Sequence, residues 1–446
     1  MIGLEFSPER NALLANQPNR LHVLIRLSSL LKHQEQNFDD SPPVNLAIVI
    51  DSSGSMNGQP LIEAKRCAAE IIDRMRAKDR LSIISYSVSA DVVLPSRKLT
   101  DKEFAKNKVR QIVTGGMTDL FGGWHAGATQ VANHLTREGI SRILLLSDGC
   151  ANIGITNTHE IAQHCAALAE TGVTTSSYGL GASFNEHLMT AMARSGQGRA
   201  HYGMTAADLI DPFQEEFDLI RAIVGKKLRL HLQAEPGISI DNVNMYQIDQ
   251  EGALILPDMA SQGDVWVLTE IRIPESLVAQ AIGSSVKVMT AYLSFNDLEG
   301  QHHSTEPSTL RLETVGPSAF EAIAVDPDVQ SRTIELQAAR LQDAAAIAAR
   351  QGNWALVHRY IVELKEMGKT HEWINAAVTS LERYARTRER TRFSKEASYK
   401  SDKMRYRLAD RSEHRSEYNQ GSESSKPSFL RRKPEQGIRF DDGSNK

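Results

Sequence analysis

Largely apolar runs alternate with amphipathic segments from residue 44 to about residue 224. Residues 46–50 and 142–147 are such runs, whereas residues 61–76 place apolar side chains at helical spacing. Continuous runs of this length are typical of strands that are buried on both faces. Because these strands alternate with helices, the sequence predicts an α/β domain over residues 44–224 with a doubly wound, mostly parallel sheet.

At Gly225 the hydrophobic period changes to two. Apolar and polar residues alternate over residues 227–233, 265–273 and 286–295, and turns such as 235–237 separate them. This pattern predicts an antiparallel, β-sandwich-like domain over residues 225–316. Residues 21–27 show the same alternation, so we expect one or more strands of the N-terminal segment 1–43 to join this domain.

The pattern becomes helical again over residues 326–387, with breaks near 351–353 and Gly368. We expect three helices in this C-terminal helical segment. Residues 388–446 are charged and polar with few large aliphatic side chains, which cannot offset the entropy of ordering the chain. The sequence therefore predicts a disordered basic and polar tail over residues 388–446.

The distribution of charge and cysteine adds two expectations. Residues 383–415 contain 12 Lys and Arg but only five Asp and Glu, although the whole chain has a formal net charge of -4. The body is therefore acidic and the C-terminal region basic. Three cysteines without a C-x-x-C pair indicate neither a disulfide framework nor a zinc site. No apolar run approaches the ~20 residues of a membrane helix, so we expect a cytoplasmic protein without membrane insertion.

Oxygen-bearing side chains occur after two of the predicted strands and in one glycine-rich loop. Asp51, Ser53 and Ser55 come directly after the apolar run 46–50, Thr118 lies in the glycine-rich loop 115–123, and Asp148 follows the run 142–147. The carboxyl ends of neighbouring strands in an open α/β sheet form its ligand crevice. Carboxylates and hydroxyls there suit a hard cation such as Mg²⁺ better than zinc, with Mn²⁺ and Ca²⁺ as alternatives.

These motifs together resemble the metal-ion-dependent adhesion site (MIDAS) of the von Willebrand factor A (VWA) domain, a Rossmann-like fold. The family pattern is Asp-x-Ser-x-Ser, a Thr in a glycine-rich loop and a later Asp; its positions here are Asp51, Ser53, Ser55, Thr118 and Asp148. The resemblance implies that both serines bind the ion directly, and Thr118 directly or through water. The two aspartates would act through water or by direct contact. Asp119 departs from the family, which frequently has Asn at this position.

The resemblance also implies a function in binding. An acidic residue of a protein partner would complete the coordination of Mg²⁺, so we expect a non-enzymatic scaffold without catalytic residues. Beyond the α/β domain, the arrangement is similar to that of a group of bacterial multi-domain VWA proteins. This similarity implies assembly of complexes in signalling or stress responses.

Two other functions compete with this interpretation. The basic residues of 386–407, interleaved with Tyr399 and Tyr406, could bind nucleic acid by neutralising phosphates and stacking on bases. The same tail could instead mediate self-association with the acidic body. Alternatively, Asp51 could act as the nucleophile of a metal-dependent phosphoester hydrolase, although Ser53 stands where such an enzyme is expected to carry a second acid.

Overall fold

The computed structural model describes residues 2–29, 42–136, 139–148, 151–180, 185–203, 216, 222–261, 263–279 and 282–406. Within these ranges the chain forms a mostly parallel α/β sheet, two antiparallel sheets and a C-terminal group of helices. The predicted fold class is confirmed. None of the helices in these ranges combines the length and apolar character that a membrane span requires.

The strands and helices are numbered in chain order. The strands are β1 (Ile2–Pro8), β2 (Leu13–Leu14), β3 (Asn19–Ser29), β4 (Val44–Asp51), β5 (Arg80–Tyr86), β6 (Ala90–Lys98), β7 (Ile140–Ser147), β8 (Val173–Leu180), β9 (Gln197–Gly203), β10 (Ile223–Ala234), β11 (Ser239–Asn242), β12 (Leu254–Ile255), β13 (Met259–Ala260), β14 (Asp264–Ile273), β15 (Ser285–Asn296), β16 (His302–Ser304) and β17 (Ser308–Val315). The helices are α1 (Gln59–Arg74), α2 (Lys102–Arg110), α3 (Leu120–Ala132), α4 (Thr158–Glu170), α5 (Glu186–Ser195), α6 (Glu275–Val278), α7 (Pro317–Ala322), α8 (Pro327–Arg350), α9 (Trp354–Gly368), α10 (Glu372–Arg386) and α11 (Arg390–Tyr406).

The α/β domain is built on a six-stranded sheet of order β6-β5-β4-β7-β8-β9. All neighbouring strands are parallel except β5 and β6. Every residue of the central strand β4 is buried, with α1 and α2 on one face of the sheet and α3, α4 and α5 on the other. Strand β4 lies between β5 and β7, so the sheet is extended on one side of β4 by β5 and β6 and on the other side by β7, β8 and β9. The carboxyl ends of these three strands therefore form a topological switch point, where open α/β sheets bind ligands.

Two sheets, antiparallel except where β2 pairs with β17, enclose a second hydrophobic core. One has the strand order β1-β3-β14-β11, and the other has the order β12-β10-β15-β17-β2, with β13 and β16 attached. The long strand β3 pairs with β14 from Asn19 opposite Ile273 to Ser28 opposite Asp264. The N-terminal strands thus complete the β domain, and the α/β domain is inserted between them and β10.

Helices α8 to α11 form the C-terminal group. The prediction of disorder from residue 388 onward is wrong for residues 390–406, which form α11. Phe393, Ala397 and Met404 are buried in the core that α11 shares with the other helices, and Tyr399 packs into the core of the α/β domain. The burial of this apolar side of the helix offsets the entropy of ordering the segment. The rest of the predicted tail, residues 407–446, lies outside the described residues.

The packing of α11 also argues against the nucleic-acid interpretation. Lys395, Lys400 and Arg405 are buried, as is Tyr399, one of the two tyrosines considered for base stacking. Lys400 lies 3.4 Å from Glu396, and Arg405 pairs with Asp343 of α8. These three basic side chains are directed into the protein and are not available to a phosphate backbone, whereas Arg386, Arg388, Arg390 and Arg392 of the same basic stretch are exposed.

Candidate metal centre

Three loops are joined by backbone hydrogen bonds at the carboxyl ends of β4 and β5. The amide of Ser52 donates to the carbonyl of Tyr86 (2.8 Å), that of Gly54 to Gly116 (2.8 Å), and that of Asp119 to Ser87 (2.7 Å). The loops that follow β4 and β5, together with the loop before α3, therefore form one connected structure. Its parts are held in place before any ligand binds.

Glycine is required where these loops approach each other most closely. A Cβ atom added to Gly115 would lie 2.3 Å from the Oγ of Ser87. Real Cβ contacts are not that short, so a larger residue would force the glycine-rich loop away from the loop that follows β5. Gly115 thus permits Thr118, three residues later, to lie at the site.

Asp51 is fully buried and accepts three hydrogen bonds. Its Oδ1 accepts from the amide of Ser53 (2.9 Å), and its Oδ2 accepts from the hydroxyls of Ser147 (2.6 Å) and Tyr86 (3.2 Å). Burial raises the pKa of Asp51 above its usual range, and the nearby charge of Asp148 adds to this effect. The hydrogen bonds from Ser147 and Ser53 oppose it. Because its oxygens are largely engaged, Asp51 is better placed to act on a cation through water than by direct contact.

The hydroxyls of Ser53 and Ser55 face each other at 3.1 Å. Neighbouring ligands of an octahedral Mg²⁺ ion lie about 3.0 Å apart, given a metal–oxygen distance of about 2.1 Å. Ser53 is buried and Ser55 is exposed, so this pair of oxygens joins the interior to the surface. The donor set fits a hard divalent cation. Among the described residues, no group of three or more His, Cys, Asp or Glu side chains is arranged to hold a metal ion.

Thr118 and Asp148 occupy the remaining predicted positions, and both are buried. Thr118 lies in the glycine-rich loop before α3, and Asp148 lies at the carboxyl end of β7 beside β4. The carbonyl of Asp148 accepts a hydrogen bond from the amide of Asn185, directly before α5 (2.7 Å). All five residues therefore lie at strand ends or on the loops beyond them, at the same edge of the sheet.

Comparison with protein families agrees with this arrangement. Residues 45–216 match the model of the von Willebrand factor type A domain. The chain contains a VWA domain. Such domains commonly mediate protein–protein interactions, often bind a divalent metal ion at the MIDAS, and are generally non-enzymatic.

Individual proteins share parts of this chain. The protein YfbK of Escherichia coli (strain K12) is 27% identical over 222 residues, which are 49% of this chain and 38% of YfbK. A von Willebrand factor type A structure from Catenulispora acidiphila has a TM-score of 0.64 at 16% identity, covering 84% of this chain and 89% of its own. The ArnB paralog VWA2 from Sulfolobus acidocaldarius has a TM-score of 0.60 at 16% identity, covering 90% and 98%. At these identities, the two structures show a shared fold that extends beyond the VWA domain.

Asp119, where the VWA family frequently has Asn, begins helix α3. Its carboxylate accepts a hydrogen bond from the amide of Gly122 (2.9 Å), which makes it the N-cap of the helix. Both Asp and Asn serve well at this position because either side chain can satisfy an otherwise unpaired helical amide. The departure from the family pattern thus leaves the local structure of the loop intact.

Sequence reasoning missed the residues that hold Asp51 on the interior side of the VWA site. Tyr86 and Ser147 hold Asp51, and the ring of Tyr86 packs so closely on α3 that a Cβ on Gly123 would lie 2.4 Å from it. Ser147 stood next to the predicted Asp148, so its place at the strand end offered a signal. Tyr86 offered none, because a Tyr that ends an apolar strand is ordinarily a core residue.

Asn152 is a further support, and its removal is a first test of the site. Its side-chain Oδ1 accepts a hydrogen bond from the backbone amide of Thr118 (2.7 Å), and its backbone amide donates to the carbonyl of Thr118 (3.1 Å). We expect Asn152→Ala to raise the dissociation constant for Mg²⁺ about tenfold, the lower end of effects seen for outer-shell groups. Calorimetric titration with MgCl₂ measures this. Asn133→Ala, at the far end of α3, should leave the constant unchanged, and equal constants for both variants would contradict the assigned role.

Proposed function

We propose that the VWA domain binds Mg²⁺ through Asp51, Ser53, Ser55, Thr118 and Asp148, and through the ion captures an acidic side chain of a protein partner. The main support is the Ser53–Ser55 pair, whose oxygens are 3.1 Å apart with one buried and the other exposed. The hydroxyls that would bind the ion directly are neutral and do not fill an octahedral shell, so a carboxylate from outside is a favourable further ligand. Mn²⁺ and Ca²⁺ have related oxygen preferences and are the alternative ions.

The surroundings of Asp51 favour binding over turnover. A phosphoryl-accepting carboxylate must reach its substrate, but Asp51 is fully buried and both its oxygens accept hydrogen bonds within the protein. The phosphoester hydrolase is therefore not proposed. We assign the chain to a cytoplasmic scaffold, with bacterial signalling or stress-response complexes as its setting. The whole-protein function remains part of this proposal, because the chain spans only 38% of YfbK.

The test combines metal binding with partner capture. If Mg²⁺ is present at 100 times its dissociation constant, the fold should gain about 2.7 kcal/mol, which appears as a rise in melting temperature. Affinity capture from a cell extract should then retain a protein in MgCl₂ that is lost in EDTA. Ser53→Ala should abolish both effects, whereas Ser89→Ala, at an exposed position on the neighbouring loop, should preserve them. Metal-independent melting and capture would refute the proposal.

A further inference from the structure

Two large apolar side chains stand exposed beside the candidate metal centre. Val88, on the loop after β5, has 57% of its surface exposed, and Met117, on the glycine-rich loop, has 50%. An ideal Cβ on Gly116, the residue before Met117, would lie 3.3 Å from a methyl group of Val88. The carbonyl of Gly116 in turn accepts a hydrogen bond from the amide of Gly54, which lies between Ser53 and Ser55 in the chain. The two side chains therefore border the exposed end of the serine pair.

The backbone holds this border in a fixed position. The amide of Ser87 donates to the carbonyl of Ser89 (3.1 Å), and the amide of Asp119 donates to the carbonyl of Ser87 (2.7 Å). Val88 and Met117 are thus presented on loops that are tied to each other and to the strand ends. A surface organised before binding loses little conformational entropy when a partner is bound.

The stretches of these loops nearest the two side chains carry no charge, and the next charged residue of the glycine-rich loop is the acidic N-cap Asp119. Residues 52–58, 87–90 and 113–118 contain no Asp, Glu, Lys or Arg. A partner with several acidic residues would therefore find no basic side chain in these loops to pair with its additional carboxylates. Metal coordination alone would accept any carboxylate, so discrimination between partners must come from the neighbouring surface.

We infer that Val88 and Met117 select a partner segment in which one carboxylate is flanked by large aliphatic side chains. The carboxylate would complete the cation site, while the aliphatic groups would cover the two exposed side chains and be removed from water. This inference rests on the proposed function, because it assumes a cation at the site. It adds the chemistry that distinguishes one acidic partner from another.

Three capped synthetic peptides test it: Gly-Leu-Asp-Leu-Gly, Gly-Ala-Asp-Ala-Gly and Gly-Asp-Asp-Asp-Gly, titrated against the full chain in MgCl₂. We expect the leucine peptide to bind about tenfold more tightly than the alanine peptide, as partial burial of the additional methylene groups requires. The triple-aspartate peptide should bind no more than about three times as tightly as the alanine peptide, which is the statistical factor for three equivalent carboxylates. In EDTA, binding of all three peptides should be lost.

Variants separate this inference from the function on which it rests. Val88→Ser combined with Met117→Ser should abolish the preference for leucine, while affinity for the alanine peptide and for Mg²⁺ stays unchanged. Val362→Ser, which alters an exposed valine on α9, should retain the preference. Mg²⁺-dependent binding without a preference for leucine, or with a strong preference for the triple-aspartate peptide, overturns the inference alone. Failure of every peptide to bind in MgCl₂ overturns both the inference and the proposed function.

Discussion

Replacing Arg332 by methionine should lower the free energy of unfolding by about 3 to 5 kcal/mol, the usual result of removing one partner of a buried ion pair. The guanidinium of Arg332 on α8 is completely buried and lies 2.9 Å from the carboxylate of Glu335, which is buried as well. In the Arg332→Met variant, Glu335 would retain His371, whose Nε2 is 3.5 Å away. A carboxylate in the interior would thus lose its strongest counter-charge.

The same guanidinium completes the end of α11. It donates hydrogen bonds to the carbonyls of Met404 and Arg405. The last carbonyls of a helix have no intrahelical partner, and the negative end of the helix dipole lies there. A buried cation at this position satisfies both requirements. We therefore expect the effect of the substitution to be concentrated at the attachment of α11 to α8.

Urea unfolding measures the global effect, and limited proteolysis measures the local one. The variant should be cleaved within residues 390–406 faster than the wild type. Arg359→Met provides a matched control, because Arg359 pairs with Glu363 one turn along α9 but is 75% exposed. Exposed pairs of this kind contribute about 0.5 kcal/mol or less. Equal losses of stability in the two variants would contradict the role of Arg332.

The behaviour of α11 also explains why its sequence suggested disorder. A 17-residue stretch with eight Arg, Lys, Asp and Glu residues has few apolar positions to reveal a helical period. Its polar side chains have partners that lie far away in the sequence, as when Asp402 pairs with Arg194 of α5 and Arg405 with Asp343. Such pairs become favourable only after the chain has folded, so no local sequence pattern indicates them. By contrast, the strands β4 and β7 were predictable because a strand buried on both faces must be continuously apolar.

The VWA site likewise contains residues that a local sequence pattern indicates and residues whose roles depend on contacts distant in sequence. The sequence offered the five proposed ligands as candidates because each one lies at or just after a strand end, or in the glycine-rich loop, at a fixed place in a motif. Tyr86 and Asn152 could not, since their roles arise from contacts with Asp51 and Thr118 that depend on the register between separate strands and loops. The exposure of Val88 and Met117 is likewise a property of the folded surface.

Replacing Asp51 by asparagine should separate the stability of the VWA domain from its affinity for metal. We expect the dissociation constant for Mg²⁺ to rise about 100-fold, as for strong outer-shell groups. A concentration that stabilises the wild type by about 2.7 kcal/mol would then stabilise the variant by only about 0.4 kcal/mol. Without metal the order reverses, because the wild type must bury the Asp51 carboxylate near that of Asp148, a cost reflected in its raised pKa.

The amide can replace this carboxylate without leaving a polar group unpaired. Its oxygen can take the place of the Oδ1 that accepts from the amide of Ser53, and its NH₂ group would then face the hydroxyls of Ser147 and Tyr86, which can rotate to accept.

Melting temperatures in EDTA and in MgCl₂ test both halves of the prediction. Asp119→Asn removes a charge from the same loop system but keeps the helix cap, so it should retain the full response to Mg²⁺. If Asp51→Asn lowers the melting temperature in EDTA, Asp51 has a structural role that outweighs the cost of burying its charge. If Asp51→Asn also retains the full response to MgCl₂, Asp51 does not contribute to the metal site.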